Sequence, residues 1–302
     1  MDAIIKRIKE LKSEKDVVIL AHYYTDGQIQ ALADYVGDSY YLSKLATEVS
    51  QKTILFCGVS FMGESAKLLN PQKTVIMPDS YADCPMAHMA DIDKINEIRE
   101  QYDDVAVVVY INSTAEIKAH SDVCVTSANA VKIVKALPNK NIYFIPDGNL
   151  GRYVEKMVPE KNFILNDGFC HVHTSISKEN VLKAKEIHPD ALILAHPECT
   201  WELLELADYI GSTSGIIDFA TKSDSHSFII CTEMGVLYEL ELKNPNKKFY
   251  SVGHRQFCPN MKRITPEKLL DQLENMSNVV ELTEELSAKA NLPLKKMLEL
   301  AK

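Results

Sequence analysis

The sequence is poor in tryptophan and basic residues. Trp201 is the single tryptophan and forms no stacking array with the scattered tyrosines, so a platform for single-stranded nucleic acid is not expected. The 33 Lys and Arg against 42 Asp and Glu give a net charge of −9. This acidic balance disfavours nucleic acid or an acidic membrane as a partner, but a local pocket can still bind a small anionic substrate.

The sequence also lacks long apolar runs. No stretch reaches the roughly 18 uncharged apolar residues of a membrane span. The amino-terminal MDAIIKRIKELKSEK reads as a charged amphipathic helix without the apolar core of a signal peptide. We therefore expect a cytoplasmic protein with no membrane partner, and 46% apolar residues can supply a large core.

Paired cysteine motifs are absent as well. Seven cysteines are spread through the chain without a CxxC pair, which excludes zinc-finger and ferredoxin spacing. An odd, dispersed set also disfavours a secreted disulfide framework and favours reduced thiols or metal ligation. Four of them fall in strand-like or apolar contexts and are expected in the core: Cys57, Cys124, Cys199 and Cys231.

The other three cysteines, Cys84, Cys170 and Cys258, are separated by 86 and 88 residues, and each closes one copy of a repeat. The first strand-like runs of the copies are VVILAHYY (17–24), VAVVVYINS (105–113) and ALILAHPEC (191–199). Ser39, Ser127 and Thr213 recur with similar spacing. Recurring polar positions suggest a site assembled from all three copies.

Each copy alternates short, nearly continuous apolar strands with amphipathic helices, which indicates small parallel sheets covered on both faces. The expected fold is α/β: three pseudo-threefold-related three-layer units arranged as a triangle around a central site. We expect units at 1–86, 87–172 and 173–260, with 261–302 packing back on the first as a truncated fourth start that includes a strand at VVELT. No linker rich in Pro, Gly or Ser separates them.

Polar side chains follow the first strand of each copy, where parallel α/β sheets bind ligands. Ser39, Ser127 and Thr213 occupy expected N-cap positions, where hydroxyl and backbone N–H groups can hold carboxylate or phosphate oxygens; simple helix capping is the alternative. The strand-end residues are His22 and Tyr24, Tyr110 and Asn112, and His196 and Glu198.

Three thiolates converging from equivalent loops suit a 4Fe-4S cluster with a fourth iron open to act as a Lewis acid. Buried packing cysteines and structural zinc are the alternatives, as is a substrate-free electron carrier or iron sensor. His173, beside the second cysteine loop, is expected to face the cluster or the substrate.

The motifs AHYY with GDS, GVSFMGE, ADCPMA, VYINSTAEIKAHSDVCVTSANA, PDGNLGRYV, GFCHVH, HPEC, ADYIGSTSG and CPNMK resemble the quinolinate synthases, the A proteins of de novo NAD biosynthesis. The resemblance covers about residues 17 to 263. It implies three homologous α/β domains and a 4Fe-4S cluster on Cys84, Cys170 and Cys258. It also implies a transferase- or lyase-type condensation, with dehydration, of iminoaspartate and dihydroxyacetone phosphate to quinolinate, releasing phosphate and two waters. Functional coupling to an aspartate oxidase or dehydrogenase that makes iminoaspartate is implied as well.

We expect Glu198 to act as the base and His22, His196 and Tyr24 to move protons, with Tyr110 as a further catalytic residue. Tyr23 and Gly63 depart from the family pattern, which usually has Asn and Ala there, but neither change removes a functional group. The substrate-binding positions obtained from the pattern and the resemblance together are His22, Ser39, Tyr110, Ile111, Asn112, Ser127, His173, His196, Pro197, Glu198 and Thr213.

Overall fold

The computed structural model describes residues 2–253 and 255–302. In this part of the chain the strands form three four-stranded parallel sheets. Each sheet has the same strand order, in which its second strand is followed by the first, the third and the fourth. The predicted α/β class is therefore confirmed. Within the described residues, no helix has the length and apolar character needed to cross a membrane.

The sheets are separated along the chain. The strands are β1 Val17–His22, β2 Tyr35–Gly37, β3 Thr53–Cys57 and β4 Thr74–Ile76 in the first sheet; β5 Val105–Tyr110, β6 Val123–Val125, β7 Asn141–Ile145 and β8 Asn162–Leu165 in the second; and β9 Leu192–Ala195, β10 Tyr209–Ile210, β11 Ser227–Cys231 and β12 Lys248–Ser251 in the third.

Helices connect the strands, and 3-10 turns occur at Pro85–His88 and Met261–Arg263. The helices are α1 Asp2–Glu14, α2 Gly27–Gln30, α3 Ser39–Glu48, α4 Ser60–Leu69, α5 Ile92–Gln101, α6 Ala115–Ala119, α7 Ala130–Ala136, α8 Gly148–Met157, α9 His171–Thr174, α10 Lys178–Ile187, α11 Trp201–Leu204, α12 Thr213–Lys222, α13 Val236–Lys243, α14 Pro266–Asn275 and α15 Glu284–Leu300.

The central strands are covered on both faces. Every residue of β1 and β5 is buried, as expected for parallel strands between two helical layers. An aspartate before the second strand of each sheet accepts a hydrogen bond from an N–H of the first strand, which ties the two strands together. These bonds join Asp34 to Ile19 (2.8 Å), Asp122 to Val107 (2.7 Å) and Asp208 to Ile193 (2.8 Å).

The hydrophobic core is continuous between the first two sheets, whereas the third sheet has clusters of its own on its two faces. Helix α15 contributes to the shared core and contacts α4 beside the first sheet and both α6 and β6 of the second. Helix α14 packs against α1. The unit boundaries near residues 86, 172 and 260 stay predictions.

Two local expectations are wrong. The VVELT segment forms no strand: Val279 makes only an isolated antiparallel bridge to Ile76, beside the short edge strand β4. The helix expected from Ser127 begins at Ala130, because Thr126 to Asn129 form a turn in which the Asn129 side chain accepts from the Thr126 N–H.

Candidate active site

The strand ends of all three sheets meet at one cavity. His22 and Tyr110 end β1 and β5, and His196 follows β9. All three are buried. The sequence-predicted side chains on the cavity wall are His22, Tyr24, Ser39, Tyr110, Asn112, Ser127, His173, His196, Glu198 and Thr213.

Ile111 and Pro197 lie in the same strand-end turns but not on the cavity wall. Ile111 instead packs into the hydrophobic core shared by the first two sheets. Pro197 is buried between His196 and Glu198. Their expected contacts with substrate stay predictions.

His22 and His196 sit in the same local arrangement on two different sheets. The Nδ1 of His22 accepts from the backbone N–H of Tyr24 at 3.1 Å, and that of His196 accepts from the N–H of Glu198 at 3.3 Å. Burial lowers the pKa of His22 to about 4 and that of His196 to about 3. Both rings are therefore neutral near pH 7, with the proton on Nε2.

Glu198 is bonded through both of its oxygens. Its Oε1 accepts from the Tyr110 hydroxyl at 2.5 Å, and its Oε2 lies 2.8 Å from the Nδ1 of His173. Burial alone would raise the pKa of Glu198, but His173, His196 and Tyr110 together hold it below the usual range. Burial raises the pKa of Tyr110 well above its ordinary value, and the Glu198 carboxylate adds to this. Glu198 is therefore an ionised carboxylate, and Tyr110 keeps its proton and donates it to the hydrogen bond.

The hydrogen bonds continue from His173 to the opposite wall. The Nε2 of His173 lies 2.9 Å from the Thr232 hydroxyl. That hydroxyl lies 2.8 Å from the Tyr24 hydroxyl. The Tyr24 hydroxyl in turn lies 2.9 Å from the Thr213 hydroxyl. One chain of side-chain hydrogen bonds therefore runs from Tyr110 to Thr213.

The expectation that Ser39 and Thr213 are N-caps is wrong by one residue. Asp38 caps α3 by accepting from the Tyr41 N–H, and Ser212 caps α12 by accepting from the Gly215 N–H. Ser39 and Thr213 are instead the first helical residues, and both line the cavity. Simple helix capping therefore does not explain their recurrence.

Ser127 is not a cap either, since Asn129 precedes α7. Its hydroxyl lies 3.2 Å from the Nε2 of His196. Asn112 Oδ1 and Thr126 Oγ1 are buried and lack a hydrogen-bond partner, and both residues line the cavity. A buried polar group left unpaired costs roughly 1–3 kcal/mol, so these two atoms are suited to bind a polar ligand.

The three periodic cysteines line the same cavity from three loops. The backbone N–H of Cys84 donates to Asp83 at 2.7 Å, and that of Cys258 donates to Glu233 at 3.0 Å. The thiol of Cys170 lies 3.2 Å from the Nδ1 of His173. The other four cysteines are fully buried in the hydrophobic cores, as predicted.

Burial raises the pKa of all three thiols, that of Cys84 to about 12. Thiols in such surroundings stay protonated unless a cation replaces the proton. Among the described residues, the one group of three donors within 4.8 Å of each other is Cys170, His173 and Glu198. The sulfurs of Cys84, Cys170 and Cys258 are therefore not all within 4.8 Å of one another, whereas the sulfur ligands of one tetrahedral zinc ion lie about 4 Å apart.

Four further residues contribute to this site, although the sequence pattern does not single them out. Thr126 lines the cavity with an unpartnered hydroxyl. Thr232 and Glu233 directly follow β11, and Lys262 follows the third cysteine loop. Lys262 donates to the Tyr24 carbonyl at 2.9 Å and lies 3.3 Å from Glu233. No repeated hydroxyl marks Thr232, because Gly58 and Pro146 occupy the equivalent positions.

Comparison with known proteins gives one consistent family. The family model for the quinolinate synthetase A protein matches residues 6–299. Proteins named quinolinate synthase are similar over nearly the whole chain. That of Fusobacterium nucleatum is 58% identical, covering 98% of both chains. That of Caldicellulosiruptor saccharolyticus is 51% identical, covering 100% of this chain and 99% of the relative. That of Clostridioides difficile is 50% identical, covering 98% and 97%.

Proposed function

The chain belongs to the quinolinate synthetase A family, and we propose that it condenses iminoaspartate with dihydroxyacetone phosphate to form quinolinate, phosphate and two waters in de novo NAD biosynthesis. The observation that supports this most is the shared cavity, where three thiols and hydrogen-bonding groups from all three sheets face one space. A condensation that joins two anionic substrates and then removes water needs such a combination.

Cys84, Cys170 and Cys258 would hold a 4Fe-4S cluster. The residues fit this group, because three thiols from three separate loops share one cavity wall and are not all within 4.8 Å of one another. When bound on three cysteines, the cluster supplies an iron that can polarise a substrate hydroxyl or carboxylate as a Lewis acid.

The hydroxyls of Ser39, Ser127 and Thr213 would bind the carboxylate and phosphate oxygens. Ser39 and Thr213 are the first residues of α3 and α12 and line the cavity, so their hydroxyls lie at helix amino termini, which favour anions. Asn112 and Thr126 add unpartnered polar atoms. This local arrangement would offset the net negative charge of the protein.

Glu198 would act as the base through Tyr110. Both of its oxygens are already bonded, Oε1 to Tyr110 and Oε2 to His173, so a substrate proton would reach it through the Tyr110 hydroxyl. In the proposed step the Tyr110 oxygen takes a proton from a substrate carbon next to a carbonyl while its own proton passes to Glu198 along the 2.5 Å bond.

His22 and His196 would orient substrate carbonyl and hydroxyl oxygens by donating hydrogen bonds from Nε2, since each is a neutral ring whose Nδ1 accepts from the backbone. Tyr24 would bind substrate between them. We further propose a cytoplasmic location and supply of iminoaspartate by an aspartate oxidase or dehydrogenase, because an imine hydrolyses in water unless it is used promptly.

Anaerobic purification followed by iron and sulfide analysis tests the cluster, with about four irons per chain expected. Zinc, or a colourless protein indifferent to oxygen, would support the structural alternative. Incubation with freshly generated iminoaspartate and dihydroxyacetone phosphate, with quinolinate measured by mass spectrometry, then separates an enzyme from an electron carrier. Absence of quinolinate would disprove the proposed reaction.

Cys258→Ala is expected to lose both cluster and product. Cys231→Ala is the matched control, because Cys231 is buried in the core of the third sheet away from the cavity. It should retain iron and activity. Turnover by the cluster-free Cys258→Ala protein would contradict the proposed Lewis-acid chemistry.

A further inference from the structure

Thr232 connects His173 to Tyr24 in the hydrogen-bond chain, and no other described side chain makes this connection. It is fully buried and directly follows β11. Its hydroxyl lies 2.9 Å from the Nε2 of His173 and 2.8 Å from the Tyr24 hydroxyl. Thr232 is not on the cavity wall, although both of its partners are.

The carboxylate at one end of the chain orients His173. Because ionised Glu198 can only accept, the Nδ1 of His173 carries a proton toward it. The Nε2 on the other side of the ring contacts the Thr232 hydroxyl, which also contacts the Tyr24 hydroxyl. The Tyr24 hydroxyl in turn contacts Thr213. Thr232 therefore touches both the histidine that binds Glu198 and the tyrosine on the opposite wall.

The fold does not require a hydroxyl at this position. Gly58 and Pro146 stand at the equivalent end of the third strand in the other two sheets, after Cys57 and Ile145. Both sheets have the same strand order as the third. Of the three equivalent positions, the one in the third sheet alone carries a hydroxyl. Because this hydroxyl is bonded to two residues of the cavity wall, we infer that it has a role in the site.

We propose that Thr232 is a positioning residue that holds the His173 ring and the Tyr24 hydroxyl in place on the cavity wall. The inference rests on the proposed function. With its hydroxyl bonded to Thr232, Tyr24 is oriented in the cavity before substrate arrives. Such preorganisation affects the rate more than the binding, because misplacing a reacting group by about 1 Å can cost on the order of 100-fold.

The experiment compares cluster-loaded wild type with Thr232→Val, which keeps the shape but removes the hydroxyl, and with Thr232→Ser, which restores it. Thr221→Val is the matched control. Its hydroxyl bonds to a backbone carbonyl of α12 and to Asn244, outside the site. Iron and sulfide content is measured for each variant, followed by kcat and KM for quinolinate formation.

We expect Thr232→Val to keep its iron and to lower kcat about 10- to 100-fold with KM within about threefold of wild type. Thr232→Ser should recover kcat to within about threefold, and Thr221→Val should match wild type. Equal kcat in Thr232→Val and wild type would overturn the inference. Loss of kcat that serine does not recover would also overturn it, since that pattern indicates packing.

Crystal structures of the cluster-loaded proteins give an answer that does not depend on turnover. In wild type and Thr232→Ser, the Tyr24 hydroxyl and the His173 ring should occupy the same positions. In Thr232→Val, both groups should be displaced from those positions. Unchanged positions would contradict the proposal. If the wild type makes no quinolinate, the proposed reaction fails, and the structural comparison still decides the role of Thr232.

Discussion

Two buried histidines make the stability of the protein depend on pH. His22 and His196 are held neutral by burial, with pKa values of about 4 and about 3, whereas an unfolded histidine titrates near 6.5. Because the unfolded chain binds these protons first, the stabilisation is complete above about pH 6.5 and is lost as pH falls toward the folded-state pKa values. Lowering the pH from 7 to 5 should therefore reduce the free energy of unfolding by roughly 2 kcal/mol for each ring.

His22→Asn is therefore expected to reduce the loss of unfolding free energy between pH 7 and pH 5 by roughly 2 kcal/mol. Urea denaturation followed by circular dichroism at both pH values measures this. His226→Asn is the control, because His226 is exposed and hydrated in both states. An unchanged pH dependence in His22→Asn would show that His22 is not held neutral by the fold.

Side chains at strand ends were predictable to different degrees. The His22 and His196 positions follow from the repeat, since an imidazole recurs directly after an apolar strand. Thr232 could not be found in this way, because its equivalents are Gly58 and Pro146. Its importance comes from two tertiary contacts, to Tyr24 and His173, and no periodicity in the sequence encodes those.

At the scale of elements, recurrence of a polar residue does not by itself mark a functional site. A lysine before the fourth strand of each sheet donates to backbone carbonyls at the carboxyl end of the helix between the second and third strands. These contacts join Lys73 to Ala46 and Val49, Lys161 to Leu137 and Asn139, and Lys247 to Ala220 and Ser223. They recur with the same spacing as the site residues but stabilise helix ends.

Lys247→Met should therefore lower the free energy of unfolding by about 1–2 kcal/mol, because the carbonyls of Ala220 and Ser223 lose their donor. Its kcat for quinolinate should stay at the wild-type value. Lys243→Met is the control from the same region, where an exposed lysine pairs with Glu239 on the same helix, and it should change stability by less than about 0.5 kcal/mol. Equal stability of the two variants would contradict the capping role.

Element boundaries show what local sequence signals miss. The order of helices and strands follows from apolar periodicity, because parallel strands buried on both faces are continuous apolar runs. The VVELT segment has the same composition, but it lies beside β4, which is only three residues long, and forms a single bridge. Ser39 and Thr213 were misassigned by one residue, because Asp38 and Ser212 before them are equally good caps.

At the scale of the whole molecule, α15 joins the first two sheets. Leu294 is fully buried in their shared core, whereas Leu292 on the same helix is 67% exposed. Leu294→Ala should lower the unfolding free energy by about 2–4 kcal/mol through the cavity it leaves. Leu292→Ala, with the same chemical change on the exposed face, should cost less than about 0.5 kcal/mol. Similar urea midpoints for the two variants would show that α15 does not stabilise the shared core.

The proposed cluster would add a second connection, between all three sheets. The loops of Cys84, Cys170 and Cys258 belong to separate parts of the chain, and each thiol faces the same cavity. A group bound by all three stabilises only the folded arrangement, so its removal should lower the melting temperature. Protection from hydrogen exchange should fall first in these three loops.

Melting curves and hydrogen exchange of the anaerobic protein, before and after iron removal by a chelator, test this connection. Cys84→Ser should melt like the iron-free wild type and show no further change with chelator. Cys57→Ala lacks a thiol of the core rather than the cavity, so it should keep its iron and its response to chelator. If iron removal changed protection in only one of the three loops, the cluster could not be bound by thiols from all three sheets.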